Sequence, residues 1–328
     1  MLTVENLSVE FSSDHGAVRA VSDVSLQLNA GETLGLVGES GSGKSVTSLA
    51  IMGLVPQPPG RITSGRVRYR GENLLALSPR RLTDVRGRWI AMIFQDPMTA
   101  LNPFLTVGEQ LAEMTRHHLR HTARQARDHA AEMLERVGIA NSGRRLGDYP
   151  HQFSGGMRQR VMIAMALSCR PDVLIADEPT TALDVTIQAQ ILELLAELQR
   201  NEGTAILLIT HDLGVVANLC RRVCVMYAGR IVEEAPVETL FAEPKHPYTL
   251  GLLESVPRLG EDGAKADGRL PSIEGQPPDL AELPPGCAFE PRCGFRQSVC
   301  REKQPPLVAV EESHRHACLV DIDRQVAS

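Results

Sequence analysis

Apolar residues cluster along this chain in two alternating ways. Short runs stand at Thr33–Val37, at 173–176 and at Ala205–Ile209, the second introduced by Pro171. Runs of that length, bounded by glycine, proline or polar residues, predict strands buried on both faces. Between the second and third runs, Ile187, Ile191, Leu194, Leu195 and Leu198 recur at helical spacing and predict a helix over 184–200. A glycine-rich loop follows the first run, and a helix is expected from about Lys44. Strand, helix, strand in this order predicts an α/β layered fold with a parallel sheet and right-handed crossovers.

Two stretches break that rhythm. Residues 97–170 are mostly helical in pattern and crowd Arg116, His117, His118, Arg120, His121, Arg124 and Arg127 together. Such a basic run reads as a solvated helix face, or as a polar contact surface for a partner. Near residue 236 the composition shifts. Nine of the 21 prolines fall in 1–235 and the other twelve in 236–328, with four of the seven cysteines in that tail. Residues 1–235 therefore read as a catalytic core, and 236–328 as a loop-rich extension with little evident core of its own.

The chain has 328 residues, 43% hydrophobic and 23% charged, an ordinary globular composition. The net charge of −6 speaks against a general nucleic-acid-binding surface. The opening Met1-Leu2-Thr3-Val4-Glu5 has neither a basic n-region nor a long apolar stretch, so no secretory signal is expected. The longest apolar runs, such as 161–167, fall far short of the ~20 residues a spanning helix requires. Any work at a membrane is expected to go through partner chains. In a reducing compartment the cysteines are expected as free thiols or metal ligands.

Three motifs carry chemistry. Gly38-Glu39-Ser40-Gly41-Ser42-Gly43-Lys44-Ser45 is a phosphate loop. Its glycines let successive N–H groups face one concavity, and the following helix points its positive end at the phosphates. Lys44 supplies a point charge to the β- and γ-phosphates, and the Ser45 hydroxyl is a hard oxygen ligand suited to Mg²⁺. Asp177 and Glu178 end the apolar run at 173–176, where open α/β sheets place their ligands. Asp177 is expected to help hold hydrated Mg²⁺; Glu178 is expected to act as general base on the attacking water or to orient it. Ser154 precedes Gly155 and Gly156 at the start of a helix, a second anion-ready N-terminus.

With Phe153 and Met157 around it, this third motif resembles the signature of ABC ATPases, which usually have leucine and glutamine at those two positions. The resemblance covers essentially all of 1–235. It implies a P-loop NTPase (RecA-like) core with an ABC β-subdomain and a helical subdomain at about 97–170. It further implies that Gln95 is the Q-loop glutamine, a Mg²⁺ ligand linked to the transmembrane partner, and that Thr181-Ala182-Leu183-Asp184 is the D-loop. His211 resembles the switch histidine at the γ-phosphate, and Phe11 the aromatic that stacks on adenine. In this family two cassettes pair head to tail. Ser40, Gly41, Ser42, Gly43, Lys44 and Ser45 of one chain then face Ser154, Gly155, Gly156 and Asp184 of the other across ATP.

The tail narrows the resemblance. Lys245-His246-Pro247-Tyr248-Thr249 and the proline-rich run after it are similar to the extension of ATPase subunits of bacterial dipeptide and oligopeptide importers, with Met157 resembling the D-type subunit. This implies a homologous F-type ATPase partner, two transmembrane permease subunits and an extracytoplasmic solute-binding protein. The chain itself would be peripheral at the cytoplasmic face of the inner membrane. Related systems carry nickel or other small solutes, and a soluble ABC protein of translation or DNA repair is the reading from another class. Cys287, Cys293, Cys300 and Cys318 are spaced C-x5-C-x6-C-x17-C. The resemblance implies that they hold a [4Fe–4S] cluster; four thiolates would satisfy tetrahedral zinc equally. His314 and His316 are expected to be ordinary loop residues, and Cys169, Cys220 and Cys224 small buried hydrophobes.

Overall fold

The computed structural model describes residues 1–13, 16–181, 183–256, 273–311 and 313–322. In chain order the strands are β1 (Leu2–Ser13), β2 (Gly16–Leu28), β3 (Thr33–Val37), β4 (Gly60–Tyr69), β5 (Glu72–Asn73), β6 (Ile90–Ile93), β7 (Val173–Asp177), β8 (Ala205–Ile209), β9 (Arg222–Tyr227), β10 (Arg230–Pro236), β11 (Val308–Glu311) and β12 (His314–His316). The helices are α1 (Lys44–Ile51), α2 (Pro79–Val85), α3 (Pro97–Ala100), α4 (Val107–His118), α5 (Ala123–Arg136), α6 (Ser142–Arg145), α7 (Gly155–Leu167), α8 (Val185–Glu197), α9 (Leu213–Leu219), α10 (Val237–Ala242), α11 (Pro247–Glu254) and α12 (Val299–Glu302). No helix among the described residues is long and apolar enough to cross a membrane.

The chain divides into two compact units. One comprises Met1–Leu2, Leu28–Thr33 and Ala76–Ile209; the other comprises Thr3–Gln27, Leu34–Leu75 and Thr210–Ser328. In the first, β6, β7 and β8 are parallel neighbours, with Ile90 opposite Val173 and Val173 opposite Ala205. All five residues of β7 and of β8 are buried, as unbroken apolar runs require. The helices α3 to α7 occupy the stretch expected to be helical. Capping boxes open α4 and α5: Glu109 N–H donates to Thr106 Oγ1 while Thr106 N–H donates to Glu109, and Gln125 pairs likewise with Thr122. Val107, Leu111, Ala126, Ala130, Met133 and Leu134 turn inward. Arg116, His117, Arg120, Arg124 and Arg127 stay exposed.

In the second unit β1, β2, β4 and β5 form one antiparallel-edged sheet in the order β2-β1-β4-β5. A second set runs β3-β9-β10-β12-β11; β3 and β9 are parallel and the rest antiparallel. The strand β12, near the end of the chain, returns to pair with β10, setting His316 opposite Glu233 and Arg315 opposite Glu234. The sequence of the extension shows little evident core. Instead Tyr248, Val237, Leu240 and Phe289 join Val37, Val223, Val225 and Tyr227 in one apolar cluster. Burying a side chain of that size contributes roughly 1.5–3 kcal/mol. Glu233, fully buried, accepts from the N–H groups of Lys245 (2.6 Å) and His246 (3.0 Å) and lies 2.8 Å from His314 Nε2. His314 is thus occupied in anchoring the extension. The proline-rich run after Tyr248 lies partly outside the described residues.

Candidate active site

The phosphate loop belongs to the second unit. Residues 38–43 join β3 to α1 and need glycine at two points. Gly38 has φ +152 and a Cβ there would lie 2.2 Å from Met226 O; Gly43 has φ +103 and its Cβ would lie 2.5 Å from Ala20 O. Lys44 is buried, and its Nζ donates to Gly38 O and Glu39 O at 2.8 Å each and to Ser42 Oγ at 3.3 Å. The ammonium therefore already sits in the mouth of the loop. Gly229 N–H donates to Ser42 O at 2.9 Å, tying the loop to the turn after β9. Ser40 and Gly41 are exposed, and Ser45 is half-buried in the first turn of α1.

A cavity of about 340 Å³ borders this loop, walled by Ser40–Ser42, Val18, Ala228 and residues 277–280. Phe11 is not among its lining residues; its ring packs beside Gly60. His211 is exposed between β8 and α9, where Asp212 caps the helix by accepting from Gly214 and Val215 N–H.

The first unit holds the carboxylates. Asp177 is buried at the end of β7. Glu178 follows with φ 48, an unusual left-handed conformation for a non-glycine residue. Its N–H donates to Ile209 O at 2.9 Å, so the strained backbone is held by β8. Its Oε2 accepts from Gln95 Nε2 at 3.1 Å and from Thr181 Oγ1 at 3.0 Å. Gln95 and Glu178, 83 positions apart, are thus side by side. Two side-chain donors thus fix the direction of the Glu178 carboxylate.

Ser154 caps α7, accepting from Met157 N–H at 3.3 Å, and both Ser154 and Gly155 are exposed. A Cβ on Gly155 would meet nothing within 4 Å, whereas one on Gly156 would lie 3.2 Å from Leu183. Gln159, fully buried one turn on, donates to Pro179 O at 2.8 Å and so ties the signature helix to the turn after Glu178. Asp184 caps α8 through Ile187 N–H at 3.0 Å. Ala182 of that turn lies outside the described residues.

Known proteins resemble this chain over nearly its whole length. The family described as "ABC transporter" matches residues 21–181, and that described as "Oligopeptide/dipeptide transporter, C-terminal region" matches 232–300. The dipeptide transport ATP-binding protein DppD of Bacillus subtilis is 53% identical over 324 residues, covering 99% of this chain and 96% of that protein. This chain belongs to the ATP-binding proteins of ABC transporters, in the dipeptide/oligopeptide branch. The oligopeptide transport ATP-binding protein OppD of the same organism is 51% identical, covering 96% of this chain and 87% of its own length. Among solved structures, the dimeric post-hydrolysis state of the ATP-binding cassette MJ0796, bound to ADP and Pi, matches with TM-score 0.66 and 29% identity over 72% of this chain and 99% of that one. The chain is an ATPase motor of a transporter, and ATP with Mg²⁺ is its typical cofactor set.

In this ABC protein four residues to which the sequence assigns no individual role complete the local geometry. Thr181 and Gln159 hold the turn around Glu178. Glu39 and Arg292 pair in the phosphate loop itself, at 2.6 and 3.0 Å. Nothing near Glu39 in the sequence points to this partner, which lies 253 positions away.

The four tail cysteines are all free. Cys287 N–H donates to Cys300 O at 2.7 Å, an approach only glycine at 286 permits, because a Cβ there would lie 2.2 Å from Cys300 O. Burial pushes the Cys293 and Cys318 thiols up to about 11, and the neighbouring cysteines add to the shift. The structure thus gathers the four into one neighbourhood. Among the described residues, however, no group of three or more His, Cys, Asp or Glu side chains is arranged to hold a metal ion. Burial also raises Cys169 to about 11 and Cys220 to about 12, as expected of inert thiols.

Proposed function

We propose that this chain, seated at the cytoplasmic face of the inner membrane, powers the import of dipeptides or oligopeptides as one of two ATPase subunits paired head to tail. The observation that carries this reading is Glu178, held in a strained backbone and gripped by Gln95 and Thr181. Ser40, Gly41, Ser42, Gly43 and Lys44 take the phosphates of one ATP, and Phe11 stands at its adenine. Ser45, Asp177 and Gln95 hold Mg²⁺, which neutralises phosphate charge. Glu178 activates or orients the water, and His211 meets the γ-phosphate. Ser154, Gly155, Gly156 and Asp184 act on the nucleotide of the partner chain. Exposure of Ser154 and Gly155 and the dimeric solved relative support that division of labour.

The partners in this reading are a homologous F-type ATPase, two permease subunits and an extracytoplasmic solute-binding protein. Phe104, 86% exposed, and an open concavity of about 1030 Å³ lined by Thr106, Glu109, Arg116, Arg120 and Arg127 support a permease-docking face. The names of the relatives support peptide cargo over nickel, and transport over translation or DNA repair. Residues 1–235 serve as the ATPase domain, with the helical subdomain at 97–170, and 236–328 as the extension. Cys287, Cys293, Cys300 and Cys318 are suited by donor chemistry to a [4Fe–4S] cluster, with Zn²⁺ as the alternative; bound, either supplies a covalent cross-link to the extension. Metal analysis of anaerobically purified protein separates iron with sulfide from zinc. The test of the motor is Glu178→Gln in the assembled transporter. ATP binding persists while turnover falls by about 10²–10⁴-fold, the usual contribution of a general base. Full phosphate release from that variant removes Glu178 from its role.

A further inference from the structure

Glu39 puts a carboxylate side chain within the phosphate loop. It occupies the second position of the phosphate loop, and its backbone carbonyl accepts from Lys44 Nζ at 2.8 Å. A carboxylate so close to the phosphate-binding lysine would repel the ligand unless its charge were cancelled. The cancelling group comes from the far end of the chain. Arg292 meets Glu39 with both terminal nitrogens, Nη1 to Oε2 at 2.6 Å and Nη2 to Oε1 at 3.0 Å. The Arg292 side chain is only 6% exposed. It lies over the rings of Tyr227 and Phe289 at 5.9 and 6.0 Å, so the fork has little freedom to turn away. Tyr248, fully buried, accepts the Glu39 N–H on its hydroxyl at 2.7 Å. Both the charge and the peptide orientation of Glu39 are therefore set by the extension.

The same guanidinium fixes the opposite wall of the cavity beside the loop. Arg292 Nε donates to Glu274 O at 3.0 Å, three residues before the segment 277–280 that faces Ser40–Ser42. One side chain thus spans loop and wall.

We propose that Arg292 and Tyr248 are positioning residues of the nucleotide site, through which the C-terminal extension sets ATP affinity within its own chain. Arg292 neutralises and orients Glu39, Tyr248 holds its peptide, and Glu39 in turn presents the carbonyl that aims Lys44. This rests on the reading of residues 38–45 as the phosphate loop.

The test measures ATP affinity on the purified full chain, and KM and kcat in the assembled transporter, for Arg292→Gln, Glu39→Gln, the double variant, Tyr248→Phe and Lys44→Ala. Arg292→Gln raises the Kd and KM for ATP by about tenfold, the equivalent of one charge-assisted contact, while kcat at saturating ATP stays within about twofold. Adding Glu39→Gln removes the uncompensated carboxylate and brings affinity back to within about threefold of wild type. A merely structural arginine would not be rescued in this way. Tyr248→Phe keeps the buried ring and loses only the acceptor; it raises KM severalfold with kcat unchanged, and it serves if Arg292→Gln does not fold. Wild-type ATP affinity in Arg292→Gln or, where that variant does not fold, in Tyr248→Phe overturns the proposal. So does a double variant as weak as Arg292→Gln. Wild-type ATP affinity in Lys44→Ala overturns instead the phosphate-loop reading beneath it.

Discussion

The phosphate loop and the signature turn are both glycine-rich helix starts, yet they are built in opposite ways. The loop exposes Ser40 and Gly41, but its glycines at 38 and 43 are buried against Met226 and Ala20, and Arg292 and Tyr248 clamp it from the end of the chain. The signature turn is exposed at Ser154 and Gly155 and capped only by its own serine. Below the surface it is tied by Gln159 to Pro179. The first is organised before a ligand arrives, as preorganised electrostatic sites are. The second presents donors outward, which suits a surface completed by a second chain.

Three changes break or sharpen this contrast. The largest effect is expected from Gly38→Ala. The new methyl would sit 2.2 Å from Met226 O at φ +152, so the loop must rearrange. ATP binding, followed by a fluorescent nucleotide, is lost; retained binding would mean that the loop is not rigidly placed. Ser154→Ala is smaller and divides by readout. Removing the cap costs about 1 kcal/mol of stability. If the serine also meets the partner's nucleotide, turnover of the assembled transporter drops by about tenfold, in line with one lost hydrogen bond to a charged group. ATP binding to the isolated chain stays unchanged. Equal losses in both assays would assign Ser154 to its own chain's nucleotide.

The third change leaves the site alone and concerns the anchor of the extension. Burial, and next the nearby His316, push His246 down to about 3. It is neutral when folded, with its Nδ1 accepting from Tyr248 N–H at 3.1 Å. Because its folded value lies below the unfolded one, its contribution is present above pH ~6.5 and is lost as pH falls toward about 3. Each unit through that window costs up to about 1.4 kcal/mol. Urea midpoints measured from pH 7 to pH 4 fall less steeply in His246→Asn. An equal slope in both proteins would show that other groups carry the acid sensitivity.

Much of this molecule was legible in one dimension. The strands β3, β7 and β8 lie where unbroken apolar runs place them, because a strand covered on both faces has no polar side to reveal. The glycines at 38 and 43, the lysine, the paired carboxylates and the Ser154 turn were visible because each does its work through neighbours within a few residues. What stayed hidden depends on residues far apart in sequence. The extension has a core only because Tyr248 and Phe289 pack with Val37, Val223 and Val225. Gln95 finds Glu178 across 83 positions, and Arg292 finds Glu39 across 253. Local chemistry is set by residue type and spacing along the chain. Which charge neutralises which, and which backbone is held in strain, is decided only when folding brings distant segments within a few ångströms, where side chains can compete with water for one another.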